Sequence, residues 1–366
     1  MKQNKAYKFR IYPNEEQKII FAKTFGCTRF IYNKMLSDKI DYYKQTKQKL
    51  NNTPAQYKIE FEWLKEVDSL ALANAQMNLQ KAFTNFFINT KSGFPKFKCK
   101  HKNKKSYTTN NQRNTITLEN GFLKLPKLVD LVKVKQHRQI AKDYKIKSVT
   151  ISQTPSEKYY ASILCEYDNQ IQIIEPKTFL GLDFSMKELY VASDETSADY
   201  PRYFRKSQEK LAREQRKLSR CVIGSKNRAK QRLKVAKLHE KVSNQRKDFL
   251  HKLSRQIANA YDCICIEDLD MKAMSQALNF GKSVADNGWG IFTTFLKYKL
   301  ENLGKQLIKI DRWFPSSKTC SNCNHIKEDL SLNDRIYHCD CCGITINRDY
   351  NASINIRNQG IKLVIS

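Results

Sequence analysis

Long apolar runs are absent from this 366-residue chain: no stretch reaches about 18 apolar residues, and no signal-peptide core precedes the first charged segment. We therefore expect no transmembrane helix. The eleven cysteines are too dispersed for a disulfide scaffold, which favours a reducing compartment. The sequence also shows no internal repeat. These absences predict a soluble, intracellular protein.

Acidic residues are scarce relative to basic ones, with 36 Asp and Glu against 66 Lys and Arg and a net charge of +30. Such an excess indicates a polyanionic partner. Membrane surfaces also attract basic proteins, but without a membrane segment nucleic acid is the better candidate. A hydrophobic content of 40% indicates a folded chain, and its length allows two or three domains.

The hydrophobic pattern changes near Pro176. Before it, residues 5–12 alternate like a strand, largely helical sequence runs from Asn14 to about Phe87, and short β-like runs follow up to Tyr167. The N-terminal strand could complete a small barrel into which the helical block is inserted. The second half favours an α/β fold. Its predicted strands are 178–184, 188–193, 200–204, 262–267 and 305–311, and its predicted helices are two within 205–260, one at 289–303 and one at 347–358.

Three carboxylates in this second half lie where a nuclease places metal ligands. Asp183 and Glu267 each end an apolar strand-like run, and Asp349 opens the last predicted helix. Hard oxygen ligands suit Mg²⁺, and two such ions about 4 Å apart can activate water and stabilise the departing oxygen of a phosphodiester. A solvated charge is the ordinary explanation for any single acid. Three in this order resemble the RNase H-like arrangement and predict a metal-dependent enzyme that cuts nucleic acid.

A four-cysteine pattern precedes Asp349. Cys320-x-x-Cys323 is followed, after fifteen residues, by Cys339-x-x-Cys342. This spacing is typical of one structural Zn²⁺ ion held by four thiolates. Cys341 could replace a neighbour, but Cys339 keeps the two-residue spacing and is the better choice.

Basic residues concentrate in two segments. Residues 205–255 carry 18 Lys and Arg against four acids, and the basic loop 96–105 has aromatic residues interleaved with lysines. Ordinary solvated helices alternate charge sign for support between adjacent turns, and these do not. Contacts to nucleic-acid phosphates explain the pattern better.

Taken together, the sequence resembles the TnpB family, the compact RNA-guided DNA endonucleases of bacterial and archaeal transposons, which are related to type V CRISPR effectors. The likeness covers nearly the whole chain. Beyond the carboxylates and cysteines, it rests on KAYKFRIYPN at 5–14, GFPKF at 93–97, LKLPKL at 123–128, DNGWG at 286–290, WFPSSKTC at 313–320 and NRDYNA at 347–352.

The resemblance implies a multidomain α+β fold. A RNase H-like (RuvC) α/β nuclease domain would contain an inserted zinc ribbon, and a wedge-like β-barrel domain would hold RNA and carry an inserted helical recognition lobe. The implied boundaries are 1–13 and 106–176 for the barrel, 14–105 for the recognition domain, 177–312 and 347–366 for the nuclease, and 313–346 for the zinc ribbon that binds target nucleic acid.

The resemblance also implies the ligands and partners. Asp183, Glu267 and Asp349 would hold two Mg²⁺ (or Mn²⁺) ions in one site that cuts both DNA strands in turn. A transposon-derived guide RNA would pair with a double-stranded DNA target next to a short motif read by the protein. We expect a monomer in the bacterial or archaeal cytoplasm. Aligned with motif-reading segments of the family are Asn52, Gln56, Ser69, Leu70, Ala73, Thr109, Asn111 and Gln112.

Two other functions compete with RNA-guided cleavage. A guided DNA-binding repressor that has lost cleavage usually lacks one acidic residue, and all three are present here. An unguided RuvC-like nuclease would account for the carboxylates but would leave the large basic first half without a role. A DNA-transferring recombinase is disfavoured, because no tyrosine or serine nucleophile has the partners it would need.

Overall fold

The computed structural model describes residues 2–89, 92–277, 287–331 and 334–365. The chain forms two compact units, Met1–Gln170 and Ile171–Ser366. Of the motif at 286–290, Asp286 lies outside the described residues. Within the part that is described, no helix is both long and apolar enough to cross a membrane.

The first unit begins with strand β1 (Lys2–Tyr12) and a long helix, α1 (Glu15–Thr46). A capping box begins this helix: Asn14 Oδ1 accepts from the Gln17 N–H at 2.8 Å, and Gln17 Oε1 accepts from the Asn14 N–H at 3.1 Å. Two shorter helices follow, α2 (Tyr57–Glu60) and α3 (Ser69–Ile88), with a 3₁₀ turn at Glu62–Glu66 between them.

The rest of this unit is one antiparallel sheet of seven strands in the order β2-β6-β7-β1-β5-β4-β3. The N-terminal strand lies within this sheet, pairing with β7 on one side and β5 on the other, and its closure into a barrel stays a prediction. Phe9 and Ile11 point into a core that Phe21 and Phe25 of α1 cover. The remaining strands are β2 (Lys105–Asn110), β3 (Thr117–Glu119), β4 (Phe122–Lys124), β5 (Val132–Lys135), β6 (Lys145–Gln153) and β7 (Tyr159–Asp168).

The second unit is built on a four-stranded mixed sheet in the order β11-β10-β8-β9. The central strand β10 runs parallel to both neighbours, and β9 forms the predicted hairpin with β8. Its strands are β8 (Phe179–Phe184), β9 (Tyr190–Ala192), β10 (Cys263–Glu267) and β11 (Gln306–Ile310), and a separate hairpin contains β12 (Ile336–His338) and β13 (Thr345–Asn347).

Helices cover both faces of this sheet. Leu180, Leu182, Ile264 and Ile266 pack with α5 and α7 on one face, whereas the alternate residues Cys263 and Cys265 pack with α8 on the other. The helices are α4 (Tyr203–Arg220), α5 (Lys226–Ala260), α6 (Met271–Ala277), α7 (Trp289–Glu301) and α8 (Arg348–Ile365).

One predicted strand, 200–204, is wrong. The chain turns at residues 193–195 after β9, pairs back with Val191 through a single bridge at Ser197, and then forms no further strand at Tyr200, which is buried. Pro201 has no N–H to donate, and Arg202 adopts a left-handed conformation (φ 48°) that starts α4 at Tyr203. The two helices predicted within 205–260 are confirmed as α4 and α5, and residues 221–225 join them.

Candidate active site

Asp183 and Glu267 lie at the ends of adjacent parallel strands. In the β8–β10 register, Leu182 pairs with Ile266, so the next residue on each strand is a carboxylate. Because the carboxyl ends of parallel strands meet at one edge of a sheet, the two side chains share that edge. Asn287 supports the turn that follows Asp183, since its Nδ2 donates to the carbonyl oxygens of Ser185 at 3.0 Å and Glu188 at 3.1 Å.

Asp349 reaches this edge from the first turn of α8. Its N–H donates to Asn347 Oδ1 at 3.0 Å, which caps the helix start. The helix lies directly on β8: a Cβ atom added to Gly181 would be 2.1 Å from the carbonyl oxygen of Ser353. Ala352 and Ser353 are buried in this contact, as small residues at these positions predict. Close packing of α8 on the strand thus brings Asp349 to Asp183.

The three carboxylates interact electrostatically. Burial raises the pKa of Asp183 well above its ordinary value, and the charges of Glu267 and Asp349 raise it further, against a lowering by Arg348. Burial also raises the pKa of Glu267, opposed by the Ser316 hydroxyl. These effects favour the neutral acids until a cation compensates the charge. The structure brings Asp183, Glu267 and Asp349 together, and we refer to them as the carboxylate cluster.

Among the described residues, the group of side chains close enough to hold a single metal ion consists of the four cysteines and does not include the three carboxylates. Oxygen donors of this kind match Mg²⁺ or Mn²⁺. The role of the carboxylate cluster as a metal site stays a prediction.

Ser316 is a site residue that sequence reasoning did not single out. Its hydroxyl donates to Glu267 Oε1 at 2.5 Å, and its carbonyl oxygen accepts from Asn355 Nδ2 at 2.8 Å. The sequence contained one usable signal, since Ser316 lies within the WFPSSKTC motif. Asn355 had a weaker one, its spacing of four residues from Asn351 on α8.

The four predicted zinc ligands converge. The sulfur atoms of Cys320, Cys323, Cys339 and Cys342 all lie within 4.8 Å of one another. Two of the S···S distances, Cys320–Cys342 and Cys323–Cys339, are 3.6 Å. Zn–S bonds of about 2.3 Å at tetrahedral angles place the sulfurs about 3.8 Å apart. The geometry fits one Zn²⁺ ion, and we refer to these residues as the cysteine cluster.

Backbone donors favour the thiolate form at Cys339 and Cys342, two of the four cysteines, whereas burial raises the pKa of Cys320. The Ile344 N–H is the largest of several donors that lower the pKa of Cys342 to about 6. The N–H groups of Cys342 and Cys341 likewise lower the pKa of Cys339. The Cys341 side chain is exposed and lies outside the cluster, so Cys339 is the better choice, as its spacing predicted. Tyr337 forms a small core with these cysteines and donates its hydroxyl to the Lys318 carbonyl at 3.2 Å.

The eight aligned motif-reading residues lie in different environments. Asn52 is buried and donates to the Tyr57 hydroxyl at 2.6 Å, and Thr109 is buried with its hydroxyl on Asp68. The Asn111 side chain stabilises its own loop, because its Oδ1 accepts from the Ile116 N–H at 3.0 Å. Leu70 and Ala73 are half-buried, and Gln56, Ser69 and Gln112 are exposed. The exposed three are the side chains of this set that are most available to a DNA edge.

The basic helices α4 and α5 pack against each other around one buried acid. Glu214 accepts from Gln231 Nε2 at 2.8 Å and pairs with Lys234 at 3.1 Å, and these partners lower its pKa to about 2. Leu211, Val235 and Val242 supply the apolar contact. Most other basic side chains of the hairpin face outward, so it presents a strongly positive surface.

Three family models match the chain. Residues 162–278 match the OrfB_IS605 model described as "Probable transposase", 289–356 match "Cas12f1-like, TNB domain", and 1–48 match "Helix-turn-helix domain". The first two cover the carboxylate and cysteine clusters. In this chain, residues 1–48 contain strand β1 and one complete helix, α1.

Relatives match over almost the entire chain. A "Putative RNA-guided DNA endonuclease" from Streptomyces pristinaespiralis is 33% identical over 98% of this chain and 89% of its own length. The "Putative RNA-guided DNA endonuclease InsQ" from Escherichia coli K12 is 29% identical over 98% of this chain and 93% of its own length.

A solved structure shares the fold. The protein in "Cryo-EM structure of the Cas12f1-sgRNA-target DNA complex" superposes with a TM-score of 0.63 at 15% identity, covering 98% of this chain and 99% of that one. At this level of identity the likeness concerns the fold alone.

Proposed function

We propose that this chain, which belongs to the TnpB family, is an RNA-guided, Mg²⁺-dependent DNA endonuclease. The observation that carries the proposal is the convergence of Asp183, Glu267 and Asp349: burial raises the pKa of Asp183, and the charges of the other two carboxylates raise it further. A transposon-derived guide RNA and a double-stranded DNA target are the proposed partners, and sequence specificity would come from base pairing.

The carboxylate cluster would hold the two ions from three separate elements. Bound Mg²⁺ supplies Lewis-acid chemistry at the scissile phosphate. Asp183 on β8 interacts electrostatically with the other two carboxylates, Glu267 at the end of β10 and Asp349 in the first turn of α8. Arg348 lies near enough to lower the pKa of Asp183 and thereby favours its charged, ligating form. The chain's own contribution is to fix the positions of these oxygens before the substrate arrives.

Each part of the chain has a proposed role. The wedge (1–13 and 106–176) and the recognition domain (14–105) would include the whole first unit, which ends at Gln170, and the first six residues of the second. The nuclease (177–312 and 347–366) with its zinc ribbon (313–346) would form the rest of the second unit. Exposed cations on the α4–α5 hairpin and in the basic loop 96–105 would contact phosphates. Gln56, Ser69 and Gln112 are the proposed readers of the adjacent motif, because Asn52 and Thr109 are buried.

The competing functions are less well supported. A binding-only repressor needs no complete set of acidic ligands, whereas here all three interact in one site. An unguided nuclease needs no positive surface on the scale of this chain, with its net charge of +30.

The first experiment is to purify the protein from cells that carry its native flanking DNA and to sequence the RNA that copurifies. A discrete RNA with a constant scaffold and a 3′ segment from the element boundary supports guided targeting. A featureless mixture of cellular RNA supports the unguided nuclease instead.

The second experiment tests the site with the guided complex. Asp183→Asn, Glu267→Gln and Asp349→Asn should each abolish cleavage of matched DNA and leave guide-RNA binding within about twofold, because the ligands act on the chemical step. Asp268→Asn is the matched control: Asp268 follows Glu267 but pairs with Lys309 at 2.7 Å and Arg312 at 3.3 Å. Wild-type cleavage by any of the first three variants contradicts the assignment.

A further inference from the structure

Hydrogen bonds connect the cysteine cluster to the carboxylate cluster through one short segment. We call residues 316–321 the linking segment. At its start, the buried Ser316 donates its hydroxyl to Glu267 Oε1 at 2.5 Å. At its end, Cys320 supplies a sulfur to the proposed zinc site. Only three residues separate the group that contacts Glu267 from the first zinc ligand.

Two buried amides of α8 hold the linking segment. The Nδ2 atoms of Asn351 and Asn355 both donate to the Thr319 carbonyl oxygen, at 2.7 Å and 2.6 Å. Asn355 Nδ2 also donates to the Ser316 carbonyl oxygen at 2.8 Å, and Asn351 Oδ1 accepts from the Ser321 N–H at 2.9 Å. The backbone on both sides of Cys320 is thus attached to the helix that carries Asp349.

This arrangement leaves the segment little freedom. Asn351 and Asn355 are 0% and 4% exposed, so an amide that lost its carbonyl partner would have no water to replace it. Within the segment, the N–H groups of Lys318 and Thr319 close a turn on the Pro315 carbonyl, at 3.1 Å and 3.0 Å. The turn continues into the Cys320–Cys323 knuckle, whose conformation a bound zinc ion would fix, because zinc binding and local folding are coupled.

We propose that Ser316 is a positioning residue through which zinc in the cysteine cluster strengthens divalent-cation binding by the carboxylate cluster. Zinc orders the knuckle, the knuckle places Ser316, and the Ser316 hydroxyl holds Glu267 Oε1 in its ligating orientation. This inference rests on the proposed function, since it takes Asp183, Glu267 and Asp349 as the cation site. Coupling between two sites is reciprocal, so a cation at the carboxylates also slows the loss of zinc.

The first test is a Mn²⁺ titration of zinc-loaded protein, with free Mn²⁺ followed by electron paramagnetic resonance. Ser316→Ala should raise the Mn²⁺ dissociation constant about 10- to 100-fold, the usual effect of removing a group that orients a metal ligand. Ser316→Thr keeps the hydroxyl and should restore most of the affinity. Ser317→Ala, the same chemical change one residue away, should bind as the wild type does. Equal affinity in wild type and Ser316→Ala overturns the proposal.

The second test needs no variant. Wild-type protein is mixed with a nitrogen-donor chelator that takes zinc and ignores Mg²⁺, and zinc loss is timed with and without saturating Mg²⁺. Mg²⁺ should slow the loss in wild type and have no effect in Ser316→Ala. A wild-type rate that is independent of Mg²⁺ contradicts the coupling, even if Ser316→Ala does not fold.

Failure of the proposed function gives a different result. If Asp183→Asn binds Mn²⁺ as tightly as wild type, the carboxylate cluster is not the cation site, and both proposals fall. If Asp183→Asn loses the ion and Ser316→Ala keeps it, only the positioning role of Ser316 is wrong.

Discussion

Gly181 and Ser353 are in backbone contact, with the position of a Cβ on Gly181 only 2.1 Å from the Ser353 carbonyl oxygen. The same hypothetical atom would be 2.7 Å from the backbone nitrogen of Arg357. Backbone atoms cannot move aside as the end of a flexible side chain can. Any residue other than glycine at position 181 must therefore push α8 away from the sheet, and Asp349 moves with it.

Gly181→Ala should accordingly damage both stability and chemistry. We expect a destabilisation of about 1–3 kcal/mol or more, as for other overpacked cores, together with loss of DNA cleavage. Thermal unfolding and a cleavage assay on the same preparation check both. Gly290→Ala is the matched control, because nothing lies within 4 Å of a Cβ at that position. Near-normal cleavage by Gly181→Ala would mean that α8 does not need this close contact.

Asp183 should destabilise the protein when no divalent cation fills the carboxylate cluster. Its folded-state pKa is raised, so folding favours the neutral acid. The protein then loses stability as the pH rises through that pKa, and the loss is absent below the ordinary value near 3.8.

Asp183→Asn removes this buried charge and its repulsion from Glu267 and Asp349. Without added Mg²⁺ and with zinc retained, its melting temperature at pH 7.5 should exceed that of wild type by about 2–4 °C, which corresponds to about 1 kcal/mol for a unit of this size. The difference should shrink as the pH falls toward the ordinary value near 3.8, because Asp183 takes up a proton in the folded state before that pH is reached. Saturating Mg²⁺ should stabilise only the wild type. A variant less stable than wild type at pH 7.5 would show that the buried charge of Asp183 does not destabilise the protein.

Two neighbouring cysteines should behave oppositely. Cys339→Ala removes a sulfur from the cysteine cluster and should abolish zinc retention, lower the melting temperature by about 5 °C or more and expose residues 313–346 to protease. Cys341→Ala changes an exposed thiol outside the cluster and should keep one zinc ion per chain. Zinc content by mass spectrometry decides between them, and zinc loss from Cys341→Ala alone would reverse the ligand assignment.

The outward face of α5 should supply phosphate contacts. Lys230, Lys237 and Lys241 are exposed and lie on one side of the helix by its 3.6-residue period. Replacing all three by alanine should reduce the slope of log K against log[salt] for RNA binding by about 2–3, at roughly 0.7–0.9 for each phosphate contact.

A suitable control for this measurement is Lys18→Ala, since Lys18 already pairs with Glu15 at 2.7 Å. The control should leave the slope unchanged. An unchanged slope in the triple variant would indicate that the α5 face is merely solvated.

Much of the fold could be predicted from local patterns in the sequence. The capping box needs only residues three apart, Asn14 and Gln17, and the turn between α4 and α5 follows from a break in helical sequence. The cysteine cluster was predictable for a similar reason, because each Cys-x-x-Cys pair forms its own knuckle and only the pairing of two knuckles is long-range.

Long-range contacts were beyond such reasoning. The hydrogen-bonded residues Ser316 and Glu267 are 49 positions apart in the sequence, and Asn355 and Thr319 are 36 positions apart. Nothing in the local sequence selects these partners, since many serines and asparagines have the same neighbours. The burial of Asn52 likewise depends on Tyr57, whose hydroxyl is itself held by Asp38 at 2.5 Å. Alignment with a family gave the position of Asn52 but not its environment.

The second glycine beneath α8 restricts how this family member can change in length. A Cβ at Gly360 would be 2.1 Å from Cys265 Sγ, so the helix is seated on β8 at Gly181 and on β10 at its own Gly360. Inserting or deleting one residue between Asp349 and Gly360 would shift the two ends of the helix by about 1.5 Å and turn them by about 100° relative to each other. Either one of the two close contacts between α8 and the sheet would then be lost, or the Asp349 carboxylate would point away from the carboxylate cluster. The spacing of eleven positions from Asp349 to Gly360 is therefore fixed by these contacts, and substitutions within it are tolerated far more readily than insertions or deletions.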